Sequence, residues 1–251
     1  MGALELGRNA AVPDEHEGER ANEGGVATLA SSIYLQMRDD IVAGRLAPGA
    51  PLRLKPLQAR YGAGMSPIRE ALSRLASDTF VVSFDHRGFR VADISRGDLA
   101  DLTEARVLIE CEALRQSIAA GDEDWETGVV AAHYRLGKID ARLKEAAGEL
   151  LESWELANQQ FHDALAAACT SRWIQRFRQL LYDQSKRYRQ FSLLRSVKLR
   201  RIKEEHEQLK EASLARDSER ATRLLAEHIR ATSEFIMRRL QTEDDSGRPR
   251  R

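Results

Sequence analysis

Apolar residues recur every three or four positions from Leu99 to about Leu240, the spacing of helices that bury one face. No proline interrupts this half of the chain, and glycines such as Gly121, Gly128 and Gly148 stand where helices are expected to break. The pattern predicts an all-helical bundle. Its helices are expected near 98–120, 123–147, 150–168, 171–194, 196–215 and 217–240.

The pattern changes upstream, between Ile33 and Val91. Ser31 or Ser32 can cap a first helix whose inner face carries Ile33, Met37 and Ile41, and Gly44 ends it. A Pro-Gly turn leads to a short extended piece, and a second helix follows around Lys55 to Tyr61. After the turn "GAGM", Ser66 supplies a capping hydroxyl and Pro67 lies in the first turn of a third helix.

The third helix is the candidate DNA reader. Its apolar face, formed by Ile68, Ala71, Leu72 and Leu75, is expected to pack inward, while Arg69 faces outward and can bind a guanine or a phosphate bidentately. The following "FVVSFDHRGFRV" alternates apolar and polar residues around a tight turn at 85–88, as a β-hairpin does. This order is typical of a winged helix-turn-helix, which places its second motif helix in the major groove.

Composition restricts the class of protein. The 251 residues carry 39 basic and 39 acidic side chains, so only a local patch can draw the chain to DNA. Seven basic residues and three acids lie between Arg53 and Arg90, a local excess of four. An ordinary solvated basic face is the alternative. No segment has the run of apolar residues that a membrane span needs, and no secretory signal is evident, so we expect a cytoplasmic protein without a membrane partner.

The predicted domain boundaries follow these changes of pattern. We expect disordered tails at 1–27 and 241–251, a winged helix-turn-helix at 28–93, a linker at 94–97, and a helical ligand-binding and dimerisation domain at 98–240. Ser95 or Asp98 is the expected cap of the first bundle helix. The fold class is therefore mainly α.

Three histidines, His162, His206 and His228, lie within apolar stripes of separate predicted helices and are expected to face the bundle interior. Asn158 precedes His162 by one helical turn, the spacing with which a helix presents two ligands to one metal. Three imidazoles and one oxygen suit a divalent transition metal with open positions. The alternative is that each histidine is a satisfied core residue.

The N-terminal motifs "GRLAPGAPLR", "MSPIREALSRLASDTFV" and "RGFRV" resemble the GntR family of bacterial transcription regulators, over about Ile33 to Val91. The resemblance implies DNA contacts by a set of residues on the reading helix, the helix before it and the wing. They are Lys55, Ser66, Pro67, Arg69, His86, Arg87 and Gly88. Many members carry an Arg two residues before the proline, where this chain has Met65, so the resemblance does not fix the base preference there.

The passages "DLTEARVLIECEALRQSIA", "ANQQFHDAL", "EEHEQLKEA" and "ARDSERATRLLAEHI" are similar to the ligand-binding domain of FadR-like GntR regulators, an antiparallel bundle of six or seven helices with the FCD (FadR C-terminal domain) architecture. The resemblance implies one metal per chain, zinc first and nickel or manganese as alternatives. Its ligands would be Asn158, His162, His206 and His228. Asp is commoner than Asn at the first position, so a weaker or more selective metal site is expected.

The same resemblance places Arg106 at the pocket, where it would pair with a carboxylate effector; an ion pair with Glu110 is the alternative. Eleven basic residues lie between Arg172 and Lys203, most of them expected on a solvated face. One or two of Arg187, Tyr188 and Arg189 would help to bind a dicarboxylate. The overall similarity is nearest to regulators induced on carbon starvation that control the catabolism of glutarate or related dicarboxylates.

Two functions are compatible with these residues. The first is a transcription regulator, a repressor by family behaviour, that binds a palindromic operator as a homodimer under the control of a small carboxylate. The second is a metal-dependent hydrolase or hydratase that uses the three histidines. Glu205 and Glu227 adjoin histidines but are expected on other helix faces, which leaves no evident general base. We therefore expect a regulator and no catalytic residue.

Overall fold

The computed structural model describes residues 28–84, 88–143, 147–193 and 202–245. Its N-terminal part contains three helices and a small sheet, in the order that the sequence predicts. The helices are α1 (Leu29–Val42), α2 (Leu54–Tyr61) and α3 (Met65–Ser77), and the strands are β1 (Pro51–Leu52), β2 (Val81–Phe84) and β3 (Gly88–Val91). The arrangement confirms the predicted winged helix-turn-helix.

Two helix starts differ from the prediction. Thr28 caps α1, and its hydroxyl accepts the Ser31 amide, so neither Ser31 nor Ser32 is the cap. Gly64 precedes α3 without a side-chain cap, which places Ser66 inside the first turn, where its exposed hydroxyl caps nothing. Gly62 ends α2 at φ 61°, a left-handed conformation that glycine adopts at little steric cost, and this reverses the chain between α2 and α3.

The sheet is antiparallel, with strand order β1-β3-β2. The extended piece after the Pro-Gly turn becomes β1, where Pro51 pairs with Arg90 and Leu52 with Phe89. β2 and β3 form the predicted hairpin, with Phe84 opposite Gly88. The predicted wing residues His86 and Arg87 lie outside the described residues, whereas Gly88 begins β3 at φ 89°.

The described residues of the C-terminal part form helices joined by short connections, as predicted. Its helices are α4 (Arg96–Ala120), α5 (Glu123–Leu143), α6 (Ala147–Leu165), α7 (Arg172–Leu193), α8 (Ile202–Leu214) and α9 (Ser218–Asp245). α4 packs against α7 and α9, and α5 packs against α6 and α8. The last helix continues past the predicted boundary at 240. Among these described helices, none combines the length and the apolar character that crossing a membrane would require.

The connection between the two parts is held in place. Ser95 caps α4 by accepting the Asp98 amide, which selects Ser95 from the two candidate caps. Ile94 is 1% exposed and packs with Leu99 and with Tyr188 of α7. The predicted linker at 94–97 is therefore partly buried, and α4 begins within it at Arg96.

Candidate DNA-binding surface and metal centre

Helix α3 buries one side and exposes the other. Ile68, Ala71, Leu72 and Leu75 are each fully buried in the core of the N-terminal part. Arg69 is exposed, as are Met65 and Ser66 in the first turn, and Pro67 is half-buried. The buried stripe fixes the rotation of α3, so that Arg69 lies on the surface that a major groove would meet.

The basic residues near α3 fall into two groups. Some are bound within the protein: Arg60 pairs with Asp40 at 2.7 Å, Arg74 donates to Ser31 Oγ at 2.9 Å, and Arg90 donates to the Gly49 carbonyl at 3.2 Å.

The second group is Arg53, Lys55 and Arg69, all exposed, and none of them hydrogen-bonds or forms an ion pair with a described residue. Such uncommitted cations are the ones available to phosphates or bases. The N-termini of α2 and α3 also lack side-chain caps, so first-turn amides are available to an anion.

The structure brings together His162, His206 and His228, from α6, α8 and α9. Their nearest ring nitrogens all lie within 4.8 Å of one another, and their ring centroids are 4.9–5.5 Å apart. His162 is 4% exposed and His206 is 1% exposed. Three buried imidazoles that face one another form a donor set suited to a divalent transition metal.

Protonation of His162 is disfavoured. The pKa of His162 lies well below its usual value, because burial penalises the charged ring and because His228 and His206 would repel the charge. His162 contacts the rings of Phe161, His206 and His228, and it hydrogen-bonds to no described residue. Neutral imidazoles are the form that binds metals, and a satisfied core histidine would have an acceptor or donor beside it.

Two neighbours orient the cluster. His228 Nδ1 lies 2.7 Å from Glu205 Oε2, which corrects the expectation that Glu205 points to another face. A carboxylate on Nδ1 fixes the tautomer that directs Nε2 toward a metal. Asn158 donates its amide to the Tyr182 hydroxyl at 3.3 Å, and its buried Oδ1 accepts no hydrogen bond in the part of the chain that the structure describes. An unsatisfied buried oxygen on the residue one helical turn before His162 is compatible with a ligand atom.

A layer of buried charge adjoins the histidines. Arg106 of α4 and Arg189 of α7 are 6% and 5% exposed, and both donate to Ser185 Oγ, at 2.9 and 3.1 Å. Their guanidinium carbons lie 5.3 and 4.7 Å from the ring centre of Tyr182. Both cations contribute to the low pKa of His162. The layer thus contains two guanidinium groups, which are side chains of the kind that pair with carboxylates.

Arg106 is also paired with Glu110, at 2.8 Å, so the expected ion pair exists while the same guanidinium reaches Ser185. Arg189 is paired with the buried Glu155, at 3.2 Å. The sequence did not single out Tyr182, Ser185 or Glu155. The spacing of Tyr182, Ser185 and Arg189, three and then four residues apart, was the available signal that they share a face.

The basic run of α7 is less solvated than expected, because Arg178, Arg187 and Arg189 are all buried. The predicted choice among Arg187, Tyr188 and Arg189 is resolved by their contacts. Arg189 adjoins the histidines, whereas Arg187 donates to the Ala92 carbonyl and the Tyr188 hydroxyl bonds to Asp98. Of the three, only Arg189 belongs to the candidate site.

Comparisons with known proteins agree with both halves of this description. Residues 29–91 match the family described as bacterial regulatory proteins, gntR family, and residues 101–231 match the FCD domain.

Among curated relatives, the uncharacterized HTH-type transcriptional regulator BphR of Paraburkholderia xenovorans is 41% identical, over 84% of this chain and 86% of its own length. The HTH-type transcriptional repressor GlaR of Escherichia coli is 36% identical, over 78% of this chain and 90% of its own length.

Solved structures show the same fold. E. coli McbR/YncC superposes with a TM-score of 0.69 at 20% identity, covering 85% of this chain and 99% of its own. A GntR regulator from Rhodococcus sp. RHA1 superposes with a TM-score of 0.66 at 23% identity, covering 83% and 97%. The described chain therefore consists of a winged helix-turn-helix domain followed by an FCD helical domain. The protein belongs to the GntR family, and it is a DNA-binding transcription regulator of the FadR-like FCD group and not an enzyme.

Proposed function

We propose that this protein is an effector-controlled repressor that binds a palindromic operator as a homodimer. Its FCD domain would hold one divalent metal, zinc first, and a small carboxylate beside it. The observation that carries the proposal is the buried cluster of His162, His206 and His228 next to two arginines in a protein whose other half binds DNA.

The DNA half supports operator binding by α3. Arg69 is an exposed guanidinium without a protein partner in the described chain, which leaves its donor fork for a guanine or a phosphate. Lys55 and Arg53 sit at the start of α2, where an uncapped helix terminus adds amide donors. His86 and Arg87 of the wing complete the proposed contacts, by resemblance. A homodimer would present two such readers to two half-sites about one helical turn apart.

The FCD half supports a metal with open positions. His162, His206, His228 and the Oδ1 of Asn158 would hold it, and Glu205 would keep His228 in the ligating tautomer. When bound, the metal supplies a Lewis-acid position for a carboxylate oxygen. The amide of Asn158 is neutral, so the site carries no negative ligand and attracts an anionic effector more strongly than an aspartate-containing site would.

The effector chemistry follows from the neighbouring charges. Arg106 donates to the Glu110 carboxylate a hydrogen bond of the kind that an effector carboxylate would accept, and Arg189 offers a second guanidinium close to the Tyr182 ring. We propose a small carboxylate, and a dicarboxylate such as glutarate in particular, because two cations and a metal can engage two carboxylates. The relative GlaR is named a repressor, which favours repression here as well.

The hydrolase or hydratase alternative has no support in these observations. Glu205, the carboxylate beside the cluster, is hydrogen-bonded to a histidine, where it orients the ring. The family match accounts for both domains without a catalytic step.

Metal analysis of protein purified without chelator tests the metal half of the proposal. We expect one transition metal per chain in the wild type and its loss in His206→Gln, with a helical circular-dichroism spectrum retained. Glu205→Gln keeps all ligands and should weaken metal affinity about 10–100-fold. A wild-type protein that stays metal-free after supplementation, with its fold intact, would contradict the metal centre.

A further inference from the structure

One face of helix α7 lies within the C-terminal helical part, and the opposite face contacts the N-terminal DNA-binding part. On one face, Tyr182 accepts a hydrogen bond from Asn158, one helical turn before His162, and Ser185 accepts from Arg106 and Arg189. Gln184 and Arg187 lie against the DNA-binding part. At 3.6 residues per turn the two sets are about half a turn apart, so a single rigid helix carries both.

Gln184 holds the turn at the end of the reading helix. Its Nε2 donates to the Asp78 carbonyl at 2.7 Å and to Thr79 Oγ1 at 3.1 Å, and Gln184 is 7% exposed. Asp78 is the C-cap of α3, and Thr79 has φ 60°. A β-branched residue rarely adopts this left-handed conformation, which persists only where surrounding contacts impose it. Gln184 supplies two such contacts from outside the domain.

Arg187 holds the chain at the other end of the wing. Its guanidinium donates to the Ala92 carbonyl at 2.5 Å and to Gln184 Oε1 at 2.8 Å, and it lies 5.9 Å from the ring centre of Phe80. It is 6% exposed, and no described carboxylate lies within ion-pair distance. A buried cation without an ion pair is costly, so these contacts are not a by-product of surface packing.

We propose that α7 is the coupling element, with Gln184 and Arg187 as the positioning residues that transmit the state of the histidine cluster to α3. This inference rests on the proposed function only for the identity of the ligand, a metal with a carboxylate at the histidine cluster. A ligand that shifts Tyr182, Ser185 or Arg189 moves the helix that carries them. Gln184 and Arg187 move with it, and the α3–β2 turn and the residue after the wing lose or change their external hydrogen bonds.

Hydrogen exchange tests the positioning step without any ligand. In full-length Gln184→Ala, we expect the amides of Thr79, Phe80 and Val81 to exchange about tenfold faster than in the wild type, because the turn loses two hydrogen bonds. Gln190→Ala is the matched control, since Gln190 lies on the same helix, is half-buried and hydrogen-bonds to no described residue. Equal exchange at these amides in the two variants would overturn the proposal.

Operator binding tests the coupling step. The probe is an operator selected from random DNA by the wild-type protein, titrated with and without Zn²⁺ plus glutarate. We expect the ligands to change the wild-type operator Kd by a factor in the range of about 5 to 150. In Gln184→Ala the factor should fall to near one while the calorimetric heat of glutarate binding is retained, and Gln190→Ala should match the wild type.

The outcomes separate the two proposals. A Gln184→Ala protein with the full wild-type factor would overturn the coupling role of α7. A wild-type protein whose operator binding ignores Zn²⁺ and glutarate would instead contradict the proposed effector control. The positioning role is then decided by hydrogen exchange alone, in which faster exchange confined to Gln184→Ala supports it and equal exchange refutes it.

Discussion

Arg69 and Arg74 are exposed arginines of the same helix that differ in their contacts within the protein. Arg74 lies 4.5 Å from the ring centre of Tyr34 and donates to Ser31, so it fastens α3 to α1. Arg69 has no such contact in the described chain. Charge and exposure are alike, and only the partners distinguish the two side chains.

Replacing each arginine by alanine separates the two roles. Arg69→Ala should weaken operator binding about 5–150-fold, the equivalent of 1–3 kcal/mol for a groove contact, with an unchanged melting temperature. Arg74→Ala should lower the free energy of unfolding by about 1 kcal/mol, through the lost ring contact and hydrogen bond. The measurements are gel shift and thermal unfolding.

If Arg69 contacts a phosphate, Arg69→Ala should reduce the salt dependence of operator binding by about one unit of slope and keep the base preference. Wild-type affinity in Arg69→Ala would remove it from the DNA contacts.

At the scale of elements, Asp40 connects α1 to α2, which supports the reading helix. Its carboxylate accepts hydrogen bonds from Arg45 at 2.6 Å and from Tyr61 at 2.7 Å, and it forms an ion pair with Arg60 at 2.7 Å. Although burial raises the pKa of Asp40, hydrogen bonds from Tyr61 and Arg45 hold it below the usual value. Burial, and then the bond to Asp40, raises the pKa of Tyr61. These contacts of Asp40 with Arg45, Tyr61 and Arg60 therefore depend on an ionised carboxylate.

Asp40→Ala should destabilise the N-terminal part by about 2 kcal/mol, since three donors lose their acceptor while two remain partly solvated. Asp39→Ala is the control, because its side chain is 62% exposed and, among the described residues, pairs with Arg38 alone, so a change below about 0.5 kcal/mol is expected. Urea unfolding measures both.

The stabilisation by Asp40 has a defined pH dependence. A carboxyl group whose pKa is lower in the folded protein than in the unfolded chain stabilises the folded state. This stabilisation is fully present above the pKa of the unfolded chain, near 3.9, and it is lost as the pH falls through the lower pKa of the folded protein. The wild type and Asp40→Ala should therefore differ at neutral pH and converge in acid. If the two proteins differ in free energy of unfolding by the same amount down to strongly acidic pH, the stabilisation does not depend on the ionisation of Asp40.

The sequence predicted elements better than contacts between them. Long amphipathic periods located α4 to α9, and alternation located the wing, because both signals are local. Which arginine of α7 reaches the histidines depends on the rotation of that helix against its neighbours, so Arg187 and Arg189 were not separable. Glu205 was misplaced because its partner, His228, lies on another helix. Thr28 was missed as a cap because two serines offered the same chemistry nearby.

In the whole molecule, the linker and α7 join the winged helix-turn-helix to the part that contains the histidine cluster. The formal net charge is zero, so DNA affinity has to come from the few uncommitted cations around α3, and its salt dependence should be correspondingly modest. The buried linker contacts of Ile94 and Tyr188 limit free rotation of the two parts. Such an arrangement suits control by small displacements within the FCD domain.

In the proposed function, a carboxylate bound beside a metal controls operator binding. The most direct measurement is the operator Kd of metal-loaded and of EDTA-treated protein, each titrated with a panel of mono- and dicarboxylates that includes glutarate. We expect at least one carboxylate to weaken operator binding by a factor of about 5 to 150 in the metal-loaded protein and to have no effect after EDTA treatment. The same response with and without metal, or no response of metal-loaded protein to any carboxylate in the panel, would contradict the account.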